Sequence, residues 1–373
     1  MDTARLKESF ARVAMHGDEV ALYFYSDLFL RHPETRDMFP VSMAEQRGHL
    51  LRALATIVSD VENTGQLTGF LQALGRDHRK YGTLAAHYEP VGTSLLATLA
   101  HFSGPAWTPE LAADWQAAFG LVASVMTEAA VQDEKLNPPF WEATVLSHEM
   151  RTFDIAVFRV VTLDTLSFLP GQSVAIESEM RPRIWRFYSI ANAPREDATM
   201  EFHVRVIDGG ALSLALARGL TPGSRLRLGP PVGSLTLDAN SSRNVLLVAG
   251  STGLAPLKAI VGQIAERADP PETHLFVGAQ EVGGLYDLQD LNKIGAECPW
   301  LTVTPCVSDD PDYRGERGTL PDVVARSGSW ASHETYIAGP TPMVEAMTER
   351  LSSLDVPATQ VHVEDFGWSE PCP

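Results

Sequence analysis

The hydrophobic period of this chain changes at Asn137-Pro138-Pro139. Before that point apolar residues recur at spacings of three and four, and after it they alternate, as they do along strands. A helical pattern cannot serve as a strand pattern, so the two stretches must build separate cores. The prolines sharpen the break, because neither offers a backbone N–H and each turns the residue before it away from helix. A chain of 373 residues has room for two or three domains. Three are expected: an all-α domain over 1–136, an all-β barrel over 137–240 and an α/β parallel-sheet domain over 241–373.

In the helical part, Pro33, Pro40, Pro90, Pro105 and Pro109 fall between or at the starts of periodic segments. Helices are expected near 3–15, 18–31, 43–61, 67–80, 90–101 and 109–133, and a bundle and a globin are the leading ways to pack them. On the fourth helix, Leu67, Phe70, Leu71 and Leu74 mark an apolar face whose next member is His78. On the third, Gln46 stands one turn before the face of Leu50, Leu54, Ile57 and Val61. On the second, Tyr25 shares a face with Leu22, Leu28 and Phe29. A single such histidine is usually a satisfied core residue. Three polar groups on three apolar faces are costly to bury without partners, and a bound polar cofactor explains all three together.

In the middle third, strands are expected at 141–146, 155–161, 173–176, 185–190, 201–207 and 225–228, separated by Pro, Gly and Asp. Several short strands of this kind suit a barrel. Leu169-Pro170-Gly171-Gln172 and Pro230-Pro231-Val232-Gly233 read as turns. Along Arg186-Phe187-Tyr188-Ser189-Ile190-Ala191-Asn192, Arg186 and Tyr188 share one face. A guanidinium grips phosphate bidentately and a phenol ring offers a flat surface, which suits a ligand with a diphosphate and a heteroaromatic ring. Gly209-Gly210-Ala211-Leu212-Ser213 leads into a helix. Its first N–H groups favour phosphate, although a plain turn with a helix cap fits the same residues.

The last third opens with a strand at 244–249 and then Gly250-Ser251-Thr252-Gly253-Leu254-Ala255-Pro256, followed by a helical period over 257–267. Strand, glycine-rich turn and helix are the setting in which a dinucleotide pyrophosphate meets a helix N-terminus. Strands at 274–279, 301–307 and 335–338 alternate with helices, giving a parallel sheet. Ala338-Gly339-Pro340, with Met343, repeats the strand-to-helix turn. After the strand ending at Ala279, Gln280-Glu281 occupies the region that would meet an adenosine ribose. A carboxylate there repels a 2′-phosphate, so NADH is favoured over NADPH.

A formal charge of −18 argues against nucleic acid or an anionic membrane surface as partner. No apolar run is long enough to span a bilayer, and because the N-terminus runs straight into amphipathic helix no signal peptide is expected. Cys298, Cys306 and Cys372 lack metal-ligand spacing and are odd in number, which fits a reducing cytoplasm. The sequence assigns no oligomeric state, and a monomer would suffice.

Phe24-Tyr25, Arg31-His32-Pro33-Glu34, Met38-Phe39-Pro40, Gln46-Arg47 and Leu50 resemble the distal side of a bacterial globin. Asp77-His78, Tyr88, Val91-Gly92 and the run from Leu95 to Leu99 resemble its proximal side. The resemblance implies haem b with His78 as its iron ligand, Tyr25 and Gln46 as donors to bound dioxygen, and Leu50 and Phe39 packed at the haem. The middle third is similar to the flavin-binding barrel of the ferredoxin-reductase-like superfamily. That likeness implies FAD rather than FMN, with Arg186 on the diphosphate, Tyr188 against the ring system, Ser189 near its reactive nitrogen, and Gly210 and Ser213 at a second phosphate contact. The last third resembles the same superfamily's nucleotide domain, which implies Gly250, Thr252, Gly253, Pro256 and Gly339 around the dinucleotide. Val361-His362-Val363-Glu364-Asp365-Phe366-Gly367 resembles its closing segment, with Phe366 stacked on the flavin and Glu364 nearby.

In order, the three parts resemble the flavohaemoglobins over essentially the full length. The implied activity is nitric oxide dioxygenase, with O2, NO and NAD(P)H as small-molecule partners. There are two departures. Gln132 stands where the family has a Glu that, with Tyr88, holds the proximal histidine, so an amide would strengthen His78 less than a carboxylate. Asp133 and Glu134 are each turned about 100° further round the helix. Ala338 stands where the family usually has Cys. A haem-linked reductase with another acceptor, or a sensing globin kept reduced by its flavin module, are the alternatives.

Overall fold

Of the first six helices, the first and the last begin at side-chain caps. In the computed structural model, which describes residues 1–238 and 241–365, α1 (Thr3–Ala14) begins where the Asp2 side chain accepts from the Arg5 N–H. Then come α2 (Asp18–Arg31), α3 (Ala44–Ser59), α4 (Thr64–His78) and α5 (Tyr88–Ser103). The long α6 (Pro109–Glu134) starts with proline at its first position and the Thr108 hydroxyl accepting from Leu111 N–H. Their apolar faces converge in two clusters. The larger includes Leu6, Val20, Phe24, Leu28, Leu99 and Trp115. The smaller gathers Leu67, Leu71 and Met126, with Leu74 and Tyr88 against them.

Two compact units divide between Phe140 and Trp141. In the second unit, β1 (Trp141–Met150), β2 (Ile155–Thr162), β3 (Ser173–Ser178), β4 (Arg181–Ser189), β5 (Thr199–Arg205) and β6 (Arg225–Val232) form an antiparallel sheet, with α7 (Ala211–Gly219) after β5. The strand order β4-β3-β6-β1-β2-β5 leaves β4 and β5 as edges. These edges meet at an Ile190–Phe202 bridge and an Ala191 N–H donating to Glu201 O at 2.8 Å, so the sheet curls into a barrel. The buried Asn192 side chain secures the closure. Its Oδ1 accepts from Glu201 N–H at 2.6 Å, and its Nδ2 donates to Thr199 O at 3.0 Å. Phe158, Ile176, Ile190, Phe202 and Leu228 fill the interior, with Leu212 and Leu216 of α7 packed onto it. Removing the Asn192 amide leaves buried backbone groups without partners. Asn192→Ala is therefore expected to lower unfolding free energy by about 2 kcal/mol, read by denaturant titration.

Residues Pro230 and Pro231 do not form the expected turn. β6 runs through them, with Pro231 opposite Val174 beside a register shift in β3. Proline is tolerated at such an irregularity because a ladder N–H is not required there.

The same unit holds β7 (Val245–Gly250), β8 (Thr273–Ala279), β9 (Leu301–Val307), the two-residue β10 (Glu316–Arg317), β11 (Glu334–Gly339) and β12 (Val361–Asp365). All pair in parallel in the order β10-β9-β8-β7-β11-β12. Helices α8 (Leu254–Ala265), α9 (Leu288–Glu297), α10 (Leu320–Ser327) and α11 (Thr341–Ser352) make the connections. The chain moves outward from β7 through β10, then returns to the other side of β7 as β11. Ligands bind at such a reversal, beyond the carboxyl ends of the strands. Barrel residues Ile155 and Val157 lie in the same apolar cluster as Leu247, Leu257 and Leu275, which explains why barrel and parallel sheet form one unit. Among the described residues no helix is long and apolar enough to cross a membrane.

Candidate functional site

His78 is the last residue of α4, and its Nδ1 lies 2.8 Å from the Leu74 carbonyl one turn earlier. A carbonyl only accepts, so Nδ1 carries the proton and Nε2 keeps its lone pair. Burial disfavours the charged ring and lowers its pKa. A neutral imidazole with an oriented free Nε2 is the form that ligates iron. Tyr88, at the start of α5, packs with Leu74 in the smaller cluster and its phenol is pushed up by burial.

On the larger cluster, the buried Tyr25 hydroxyl donates to the Gln46 backbone oxygen at 3.2 Å. Burial pushes the Tyr25 phenol well above its usual value, so it remains a donor. Phe39 meets the Tyr25 ring edge-on at 5.5 Å, and Leu50 lies against the same cluster one turn after Gln46. The structure thus brings Tyr25, Phe39, Gln46 and Leu50 together.

Gln132 is placed differently from what the resemblance implies. It is exposed and accepts from Lys135 Nζ at 2.9 Å, because the last turn of α6 directs it to solvent. The neighbouring Asp133 carboxylate pairs instead with Arg79, directly after His78. Arg79 also donates to Asn137 O at 2.9 Å, and Asn137 Nδ2 donates to Asp133 at 2.8 Å. A carboxylate thus reaches the end of α4 through Arg79. From this position Gln132→Glu is expected to leave the oxygen-dependent step unchanged in stopped-flow absorbance, and a faster step would place residue 132 at the ring.

On β4, Arg186 and Tyr188 stand opposite Ile176 and Val174 of β3, on one face, with Ser189 buried opposite Ser173. Arg186 Nη1 donates to the Trp185 carbonyl at 2.7 Å. Tyr188 packs against the barrel core, and burial pushes its phenol up. Gly210 is the N-cap of α7. The buried Ser213 hydroxyl donates to Gly210 O at 3.0 Å and accepts from Ile207 N–H at 3.2 Å, so it seals the turn. The serine thus ties the turn to the helix that follows it. The first N–H groups of α7 have no carbonyl partner within the helix.

Between β7 and α8, Ser251–Gly253 form a single 3-10 turn, with Ser251 at φ +54° and its Oγ accepting from Arg205 at 3.0 Å. Thr252 is half-buried there, and Pro256 is buried in the first turn of α8. Gly253 lies so close to β11 that a Cβ on it would be 2.0 Å from Ala338 O. Gly250 and Gly339 also face each other, since a Cβ on Gly339 would be 2.8 Å from Gly250 O. The two turns therefore form one tight backbone lip at the reversal point. Glu364, half-buried on β12, pairs in register with Ala338. Gln280 and Glu281 are exposed beyond β8. Phe366 lies outside the described residues.

A buried ionic cluster was not anticipated. Glu201 and His203 of β5 meet Lys258 of α8 and the Tyr286-Asp287 pair before α9. The signal for it was Lys258, the one charged residue in the apolar run of α8.

Comparison with known proteins divides the chain in the same way. Residues 22–126 match the globin family model, 139–237 the oxidoreductase FAD-binding domain and 247–349 the oxidoreductase NAD-binding domain. A flavohemoprotein of Bordetella pertussis is 26% identical over 393 aligned positions, covering 94% of each chain. The ferredoxin–NAD(P)+ reductase component of naphthalene 1,2-dioxygenase/salicylate 5-hydroxylase systems in Ralstonia is 31% identical over 227, covering 60% of this chain and 68% of that one. Among solved structures, a flavohemoglobin from Malassezia yamatoensis superposes with a TM-score of 0.79 at 17% identity over 98% of both chains.

Proposed function

This chain belongs to the flavohaemoprotein family, with haem, FAD and a nicotinamide dinucleotide as its cofactors, and we propose that it converts nitric oxide and dioxygen to nitrate. The electrons come from NADH. Bound at these places, haem supplies the dioxygen chemistry and FAD converts a two-electron reductant into single electrons. The observation that carries the reading is the His78 ring, held by Leu74 with its free nitrogen in the neutral form.

Each residue set has a part. Tyr25 keeps its proton and turns it from the Gln46 carbonyl to a bound ligand, while Phe39 and Leu50 pack beside it. Arg186 and the first N–H groups of α7 neutralise phosphate, and Tyr188 supplies a flat surface. The lip of Gly250, Thr252, Gly253 and Gly339 admits a pyrophosphate close to the backbone, with Pro256 in the first turn of the helix behind it. Glu281 turns away a 2′-phosphate, so NADH should reduce the protein faster than NADPH. We place the reaction in the cytoplasm, where NADH is supplied.

A second reading draws on the higher identity of the reductase half to an oxygenase reductase component, 31% against 26% for the whole chain to a flavohemoprotein. In that reading electrons leave for an acceptor other than dioxygen at the haem. Aerobic turnover with NADH and nitric oxide separates the two. The dioxygenase forms two nitrates per NADH, because each nitric oxide consumed takes up one electron. NADH oxidation without nitrate would reject it in favour of the other acceptor.

A further inference from the structure

The ionic cluster lies inside the unit that holds both the barrel and the parallel sheet. Glu201 and His203 alternate along β5 and point the same way, and both are buried. Lys258 Nζ donates to Glu201 Oε1 at 2.9 Å and to Asp287 Oδ2 at 2.7 Å. The carboxylate of Glu201 only accepts, so His203 Nε2, at 3.1 Å from it, carries the ring proton. His203 Nδ1 then accepts from the Tyr286 hydroxyl at 2.7 Å. Arg159 reaches the other Glu201 oxygen at 2.8 Å, and Arg151 binds Asp290 at 2.9 Å. Three carboxylates thus face three cations around a neutral histidine. Burial opposes the Glu201 charge, but His203 and Lys258 outweigh it and hold its carboxyl well below the usual range.

Apolar side chains of the same volume would stabilise this seam as well or better, so stability alone does not explain a buried ionic cluster. Its directional bonds specify one arrangement of the two sheets. The positions of the partners say which parts are thereby fixed. Lys258 sits on α8 just beyond Pro256, on the helix that opens at the Gly253 turn. Glu201 is bonded through its backbone to Ala191 and to the Asn192 side chain, in the segment that continues β4 from Arg186, Tyr188 and Ser189. Hydrogen bonds therefore tie Asn192, which continues the flavin strand, through Glu201 to Lys258, on the helix that follows the nucleotide turn.

We propose that Lys258 and Glu201, backed by His203, Tyr286 and Asp287, are positioning residues that set the nucleotide turn against the flavin strand for hydride transfer. The inference rests on the reading that NADH reduces a flavin held along β4. In that step a C–H bond of the reduced nicotinamide breaks and its electron pair passes with the hydrogen to the flavin, with no other reactant.

The test uses holoprotein in anaerobic stopped-flow flavin reduction by NADH, with deuterium exchange of the backbone amides at 254–258 as a readout independent of turnover. Lys258→Met is expected to slow flavin reduction by about tenfold to a hundredfold. It should change the NADH concentration for half-maximal rate by less than about threefold and speed exchange at the start of α8. Lys258→Arg should restore most of the rate. A Lys258→Met protein that melts earlier yet reduces its flavin at the original rate would overturn the proposal, leaving the cluster a structural role only. Should Lys258→Met not fold, Tyr286→Phe removes one hydroxyl, and about a threefold slowing is expected. An unchanged rate there would overturn it equally. Absence of nitrate from the unaltered protein, with flavin reduction intact, would sink the dioxygenase reading and leave this test standing. Failure of NADH to reduce the flavin of the unaltered protein would overturn both.

Discussion

Substituting His78 with alanine is expected to abolish the normal haem absorbance of the purified protein while leaving NADH reduction of the flavin intact. The ring is held at the end of α4 by the Leu74 carbonyl, and alanine supplies no lone pair in its place. His78 belongs to the helical unit, whereas Arg186, Tyr188 and the Gly253 turn belong to the other. Nitrate formation should therefore fall to background while an artificial acceptor is still reduced from NADH. Added imidazole should restore part of the spectrum by supplying the missing nitrogen. An unaltered spectrum in the variant would overturn the assignment of His78.

The second large effect is expected at Gly253. A Cβ there would lie 2.0 Å from Ala338 O, 2.3 Å from its carbonyl carbon and 2.7 Å from Gly339 N, all of them backbone. Backbone cannot swing aside as a flexible side chain can, so β7 and β11 must part at the lip that receives the pyrophosphate. Gly253→Ala should destabilise the protein by about 1–3 kcal/mol. It should also slow flavin reduction by NADH about a hundredfold, because a shift of roughly 1 Å is enough for that loss. Gly283 is the matched control, since nothing lies within 4 Å of a Cβ placed there. Gly283→Ala should react as the unaltered protein does. Equal rates in both variants would mean that the lip does not receive the nucleotide.

Much of this architecture was legible because single side chains carried it. The six helices follow from apolar spacing and from prolines between them or at their starts, and the nucleotide turn follows from glycines between a buried strand and a helix. Other features depend on what packs against them. Glu201 and His203 alternate with Met200, Phe202 and Val204 along β5, which by itself reads as a wet face and a dry one. Both faces are buried, because α8 and the segment before α9 cover the outer one, and no local pattern encodes that cover. Gln132 was assigned from its place in a motif, and only the end of α6 shows that it faces Lys135 while Asp133 turns to Arg79. Pro230 and Pro231 read as a turn because proline disfavours strands, yet the register shift in β3 admits them.

Rapid-scan absorbance after anaerobic mixing of oxidised holoprotein with NADH tests most directly whether one chain passes electrons from nucleotide to haem. Flavin bleaching should come first and ferric haem should then become ferrous, at a rate that does not change with protein concentration. A flavin that is fully reduced while the haem stays ferric, or haem reduction that speeds up as the protein is concentrated, would contradict a relay within the chain.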